Sequence, residues 1–189
     1  AMALSVAPDY WIDQYRSTDT NGGVVGNGSW SGDGNAGFMI SWDIQLNEGS
    51  GVYTYSYGFS AATADEPLDK ALSHILLQVT DGAAIGEFTI VANPYTPAVI
   101  GDEPNPILST WTPQDGNSNP GMPGDIYGIK WNTANDPRVL SIEFTTLRGP
   151  VWGDFYAKDG TDGQGTIDVY AYNTGFGLSP DGETDFTNW

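Results

Sequence analysis

The side chains in this chain that could do chemistry are carboxylates, aromatics and a lone imidazole. Of 189 residues, 24 are Asp or Glu, 6 are Lys or Arg, one is His and none is Cys. Without Cys there is no thiolate nucleophile, no thiolate metal site and no disulfide. A Ser-His-Asp triad would have to be built on His74, which sits in an apolar run with no Gly-x-Ser-x-Gly elbow elsewhere in the chain. Zinc and copper sites made from several imidazoles are excluded in the same way. His74 therefore reads as a half-buried strand histidine, and no catalytic residue is assigned.

Carboxylates leave two kinds of chemistry open. A pair can act as acid and base on a glycosidic bond. Glu143, in Leu140-Ser141-Ile142-Glu143-Phe144, and Asp154, in Trp152-Gly153-Asp154-Phe155, both fall mid-strand and could face a concave sheet. The Glu-x-Asp-x-Glu strand of laminarinase-like hydrolases is absent, and Glu143 equally fits a solvated face opposite Leu140, Ile142 and Phe144. Calcium is the second possibility, because it takes six to eight hard oxygens. The metal ligands assigned are Asp159 and Asp162, in Asp159-Gly160-Thr161-Asp162-Gly163-Gln164, with the Asp115 to Asn119 loop next in line. The competing reading is of Asp-Gly turns whose side chains cap their own backbone.

Aromatic faces offer a third chemistry, stacking on sugar rings. Strand alternation puts Trp152, Asp154 and Tyr156 on one face and Val151, Gly153 and Phe155 on the other. Trp152, Asp154 and Tyr156 are thus the candidate ligand-binding residues, on a partly wet surface or in a groove. Phe155 belongs to the core, and Gly153 leaves room there for a large neighbour. The stripe Tyr53, Tyr55 and Tyr57 could be a second platform, but one face of every strand in a two-sheet protein is buried, which favours core.

The elements that would position these groups are strands. Phe38 to Leu46 and Val52 to Phe59 alternate with period two, and Glu48-Gly49-Ser50-Gly51 joins them as a hairpin. Further strands are expected over about 72–80, 87–92, 126–131, 139–146, 151–157 and 166–173, with a possible helical turn before the first of these. Asp81-Gly82 closes its strand as a hairpin turn would. Residues 16–35 read as a long loop or a set of short turns, and residues 93–124, which carry most of the 12 prolines, as a long surface loop. Eight or nine strands with little helix predict an all-β fold, an antiparallel β-sandwich of jelly-roll type, in one domain over 4–189. Ala1-Met2-Ala3 reads as a cloning remnant ahead of a mature domain.

The formal charge of −18 argues against nucleic acid and anionic membrane as partners. No run approaches the length of a membrane-spanning helix.

Four segments together resemble the C-terminal half of PEP-CTERM sorting-domain proteins, the secreted bacterial substrates of exosortases. They are Gly124 to Trp131, Leu140 to Phe144, Pro150 to Gly160 and Ala171 to Gly177, followed by Asp185-Phe186-Thr187-Asn188-Trp189. The most specific string is Val151-Trp152-Gly153-Asp154-Phe155-Tyr156. The sorting tail itself, with its Pro-Glu-Pro, apolar helix and basic end, does not appear before Trp189. The resemblance implies export and a place at the cell surface or in the exopolysaccharide matrix, and it carries over no catalytic residue. The leading expectation is a secreted, non-enzymatic domain with a structural or adhesive role. A carbohydrate-binding module and a glycoside hydrolase are the alternatives. Coplanar exposed aromatics would mark the first alternative, and two carboxylates facing each other in a cleft the second.

Overall fold

The computed structural model of the chain describes residues 12–19, 22–32, 36–63, 66–92, 106–114, 118–133, 136–162 and 165–177. Among these residues there are eleven strands and no α-helix. They form two antiparallel sheets packed face to face, the β-sandwich that period-two alternation implies.

The first sheet has the order β1 (Gln14–Ser17), β3 (Met39–Asn47), β4 (Val52–Ser60), β9 (Leu140–Thr146) and β6 (Thr89–Ala92). The second has β2 (Val24–Asn27), β11 (Asp168–Asn173), β10 (Phe155–Thr161), β5 (His74–Gln78), β8 (Ile126–Asn132) and β7 (Ile107–Trp111). The pairs β2·β11, β4·β9 and β5·β8 nest inside one another along the chain and alternate between sheets. That is the winding of a jelly roll.

The β3–β4 hairpin is the one expected, in register from Met39 opposite Ser60 to Asn47 opposite Val52. Its inward residues Ile40, Trp42, Ile44, Tyr55 and Phe59 join Ile75, Trp131, Phe144 and Phe155 between the sheets. Tyr53, Tyr55 and Tyr57 also point inward, and Tyr55 and Tyr57 stack on Phe144 at 5.0 and 6.1 Å. The tyrosine stripe is core, as two-sheet packing requires.

Three strands depart from the expectation. β1 runs into, and β2 lies within, the stretch 16–35, and β7 lies in the proline-rich stretch. The Asp81-Gly82 turn joins β5 to β6, which belong to different sheets, so it redirects the chain between layers instead of closing a hairpin. Residues 66–73, which lead into β5, contain no helical turn.

A second, smaller core lies on the outer face of the six-stranded sheet. There Leu76, Ile126 and Tyr156 are covered by Met122, with Trp111, Tyr170, Tyr172 and Phe176 around them. The loop after β7 is strapped on by polar contacts. Tyr156 Oη donates to the Pro120 carbonyl at 2.7 Å, and Asn119 Nδ2 donates to the Thr112 carbonyl at 3.0 Å. Gly121, at φ 71°, passes so close to the Tyr170 ring that a Cβ there would lie 2.1 Å from it.

Candidate functional site

The residues singled out by sequence do not assemble into one site. β10 starts at Phe155, so residues 152–154 precede the strand and lack its alternation. Trp152 packs against the main core, edge-on to Trp42 at 5.7 Å. Tyr156 is 0% exposed and belongs to the other core, on the far side of the sheet. The two therefore share neither a wet surface nor a groove. Gly153 faces Gln78, not an aromatic, with Cβ of Gln78 3.3 Å from where a Gly153 Cβ would be.

Asp154 is 2% exposed. Its Oδ1 accepts from Asn173 Nδ2 at 2.8 Å and its Oδ2 from the Gly177 amide at 2.9 Å. Asn173 Oδ1 in turn accepts from the Phe155 amide at 2.9 Å, and Gln78 Oε1 from the Asp154 amide at 2.7 Å. The carboxylate thus knits β5, β10, β11 and the Thr174–Gly177 turn together. Burial pushes its pKa up, against the hydrogen bonds from Asn173 and Gly177, which pull it down. It is a structural acceptor, and it does not share a cleft with Glu143, which lies on the other sheet.

Asp159 lies within β10, beside the irregularity between Lys158 and Thr161, and not in a turn. The turn is one step later. There the Asp162 carbonyl accepts from the Gly165 amide at 2.7 Å, and Asp162 Oδ1 accepts from the Thr166 amide at 3.3 Å. Asp162 therefore has the capping role that short Asp turns usually show. Among the described residues no group of three or more His, Asp or Glu side chains is placed to hold a metal ion. Asp115 lies outside the described residues. His74 is buried in β5, with Nε2 3.1 Å from Asn119 Oδ1. Burial chiefly, then the Lys130 charge, lowers its pKa to about 3, so it stays neutral.

The open site lies elsewhere, on the outer face of the five-stranded sheet. It is a groove of about 760 Å³. Directly opposed residues of antiparallel strands share a face, so the groove can be built from the register. One row crosses four strands as Tyr15, Ser41, Gly58 and Ser141. The next crosses three as Asp43, Ser56 and Glu143. Small side chains in the middle of the first row keep the floor low, with Gly58 lowest. A Cβ on Gly58 would lie 2.6 Å from Ser41 Oγ, so this floor cannot rise without displacing its neighbour. Tyr15, 42% exposed, stands at one end.

Polar groups converge on this floor. Ser56 Oγ donates to Glu143 Oε2 at 3.2 Å. Asp43 Oδ2 accepts from Gln45 Nε2 at 2.9 Å, while Asp43 Oδ1, shielded from solvent, has no hydrogen-bond partner among the described residues. Asp13 and Asp19 also line the groove, and no Lys or Arg does. Of this set only Glu143 is among the candidates legible in the sequence. The signal available for Ser41 and Asp43 was their alternation with Ile40, Trp42 and Ile44, which marks an outward face without saying what lies across from it.

No protein-family model matches this chain, and no curated protein matches it. The groove geometry is accordingly the basis for a functional reading. No helix among the described residues is long and apolar enough to cross a membrane.

Proposed function

We propose that this chain is a secreted, non-enzymatic β-sandwich domain that holds glycan in the groove of its five-stranded sheet, in an adhesive or structural role in the extracellular matrix. One observation carries the binding part of this reading. A shallow trough of serine hydroxyls and carboxylates, about 760 Å³ in volume, runs across the strands with a tyrosine at its end. Sugar hydroxyls both donate and accept, so serines and carboxylates can satisfy them in pairs. An exposed aromatic ring supplies an apolar face for a pyranose. The resemblance of Pro150 to Gly160 and its companion segments to exosortase substrates supports export. The absence of Cys suits a domain that folds after export without an oxidative step.

The test is affinity electrophoresis through gels containing single polysaccharides, with Ser141→Trp as the blocking variant. Ser141 is exposed on the outward face of β9, so a large side chain there fills the trough without entering the core. Retardation of the parent domain and its loss in Ser141→Trp are expected. No retardation in any gel, or retardation unchanged in the variant, rules the groove out.

Glycoside hydrolysis is the second reading, favoured by Asp43 and Glu143 on either side of Ser56. Two cross-strand steps put their Cα atoms roughly 10 Å apart. Inverting pairs hold their carboxyls about 6.5–9.5 Å apart to admit a water. Binding is preferred to turnover because Asp43 has one oxygen shielded from solvent and the other bonded to Gln45 Nε2, which places it poorly to act as acid or base on a bound sugar. Release of reducing ends that stops in Asp43→Asn and Glu143→Gln would reverse the preference.

A further inference from the structure

We propose that the outer edge of β7 pairs with the same edge of a second copy of this chain, joining two six-stranded sheets into one antiparallel sheet about a two-fold axis at Ser109. The inference does not rest on glycan binding. Each sheet ends in two edge strands, β1 and β6 in one and β2 and β7 in the other. An edge strand offers a row of backbone donors and acceptors, and proteins blunt such edges by shortening, charging or bulging them. β1, β2 and β6 are four residues each. β1 also carries Arg16, and its last residue is tied down by the Ser17 amide donating to the Gly22 carbonyl at 3.1 Å. β6 is broken by a register shift between Ile90 and Ala92. β7 has none of these devices. It runs five residues, Ile107-Leu108-Ser109-Thr110-Trp111, in unbroken register with β8 and without a charge, a proline or a glycine. Among the described residues no backbone hydrogen bond reaches its far side.

Charge and self-complementarity make the occupant a second copy. The chain carries −18, so two copies repel unless they meet where acids are absent. The strands beside the other three edges, β3, β9 and β11, contain Asp43, Glu143 and Asp168. Neither β7 nor its neighbour β8 contains an acid. Pairing about Ser109 sets Ile107 of each copy opposite Trp111 of the other, and Leu108 opposite Thr110. Aromatic and β-branched residues directly opposed across antiparallel strands stabilise the pair. Trp111 is already fixed for this, with Nε1 donating to the Gly128 carbonyl at 2.9 Å and Lys130 Nζ 4.8 Å from its ring centroid. Ser109 and Thr110, in the middle of the seam, are exposed. Five residues a side is far below the roughly 20–30 of a standard interface, so the dimer is weak and forms at high local concentration. Directly opposed residues share a face. Both five-stranded sheets therefore lie on one side of the joined sheet, and their two grooves open the same way.

The experiment is sedimentation equilibrium over a range of protein and salt concentrations. The parent should show a reversible monomer–dimer equilibrium with a dissociation constant on the order of 100 μM. Added salt should tighten it, because like charges are screened. Ser109→Lys and Ser109→Glu each set like charges opposite one another at the axis, and each should stay monomeric while keeping the circular dichroism of the parent. An equimolar mixture of the two should recover a one-to-one dimer. The general −18 field predicts a different pattern, in which the Lys variant associates more than the parent and the Glu variant less. A second assay covers the case where a charged variant fails to fold. The chain has no Cys, so Ser109→Cys carries its only thiol. Opposed Cα atoms about 4.5–5.5 Å apart suit a disulfide. Ser109→Cys should oxidise to a covalent dimer roughly tenfold faster than Leu147→Cys, an exposed position elsewhere, because the seam raises the effective concentration of the two thiols. A parent still monomeric at about 1 mM overturns the inference and leaves the edge to a strand of another protein. Association unchanged in both charged variants, two folded variants that do not pair when mixed, or equal oxidation of the two thiols overturns it as well.

Discussion

Replacing Asp154 by Ala removes the acceptor of two donors, Asn173 Nδ2 and the Gly177 amide, which lie 2.8 and 2.9 Å from its oxygens. Leaving a buried donor unpaired costs about 1–3 kcal/mol. Asn173 is buried and belongs in the upper part of that range, whereas the Gly177 amide is only part-buried and belongs in the lower part. Relief of the burial that raises the Asp154 pKa offsets some of the loss. The net expectation at pH 7 is a destabilisation of about 3 kcal/mol. Phe155→Ala is the internal benchmark. It truncates a ring stacked on Phe38 at 6.0 Å in the main core and should cost about 3–5 kcal/mol. The assay is urea unfolding followed by tryptophan fluorescence, extrapolated linearly to water. The sign of the pH dependence is fixed by the raised folded pKa. The carboxyl's contribution is fullest below its unfolded value of about 3.9 and is lost as pH rises through the folded value. The penalty of Asp154→Ala should therefore shrink from acid to neutral pH. A cost below about 0.5 kcal/mol at every pH, the scale of an ordinary surface substitution, would refute the view that this carboxylate ties β11 to β10.

His74, with its pKa lowered to about 3, stabilises the fold fully above its unfolded value of about 6.5, and the gain is lost as pH falls toward 3. Between pH 6.5 and 5 the parent should lose about 2 kcal/mol that His74→Gln does not lose, measured as the difference between their denaturation curves. Asp162→Ala should cost about 0.5–1 kcal/mol through loss of the Thr166 hydrogen bond, equally with calcium or chelator present. A melting-temperature rise specific to calcium, unmatched by magnesium and lost in Asp159→Ala with Asp162→Ala, would instead make that turn a metal site.

The parts of the fold that could be read from sequence are those where one residue type alternates over enough length to be unambiguous. β3 and β4 each run nine residues with an aromatic or aliphatic inward face. β1, β2 and β7 are four or five residues long and sit at sheet edges, where one side has no partner strand and little alternation is demanded. Gln14-Tyr15-Arg16-Ser17 has no apolar residue but Tyr15, and that one faces out. Strand alternation does not apply to Trp152 and Asp154, because residues 151–154 precede β10 and are not a strand, so the two do not share a face with Tyr156. Asp154 then looked wet only because its partners, Asn173 and Gly177, are about twenty residues away. The groove was hidden for a similar reason. Asp43, Ser56 and Glu143 become neighbours only when β4 pairs with β9, and no local pattern announces a partner 87 residues distant, the separation of Ser56 and Glu143.

The nesting of β2·β11 around the other pairs has a consequence for how the chain reaches this structure. Asn27 Nδ2 donates to the Asp168 carbonyl across 141 residues, and the Thr174 amide donates to the still more distant Gly23 carbonyl, so this seam closes the longest loop among the described hydrogen bonds. Loop closure costs entropy that grows with the logarithm of length, and contacts so distant make folding slow, on a millisecond-to-second scale. The β3–β4 hairpin, joined by a tight turn, can form early and wait. The outermost seam must form late, and in the folded protein β2, a four-residue edge strand, is the place where opening to solvent exchange should begin.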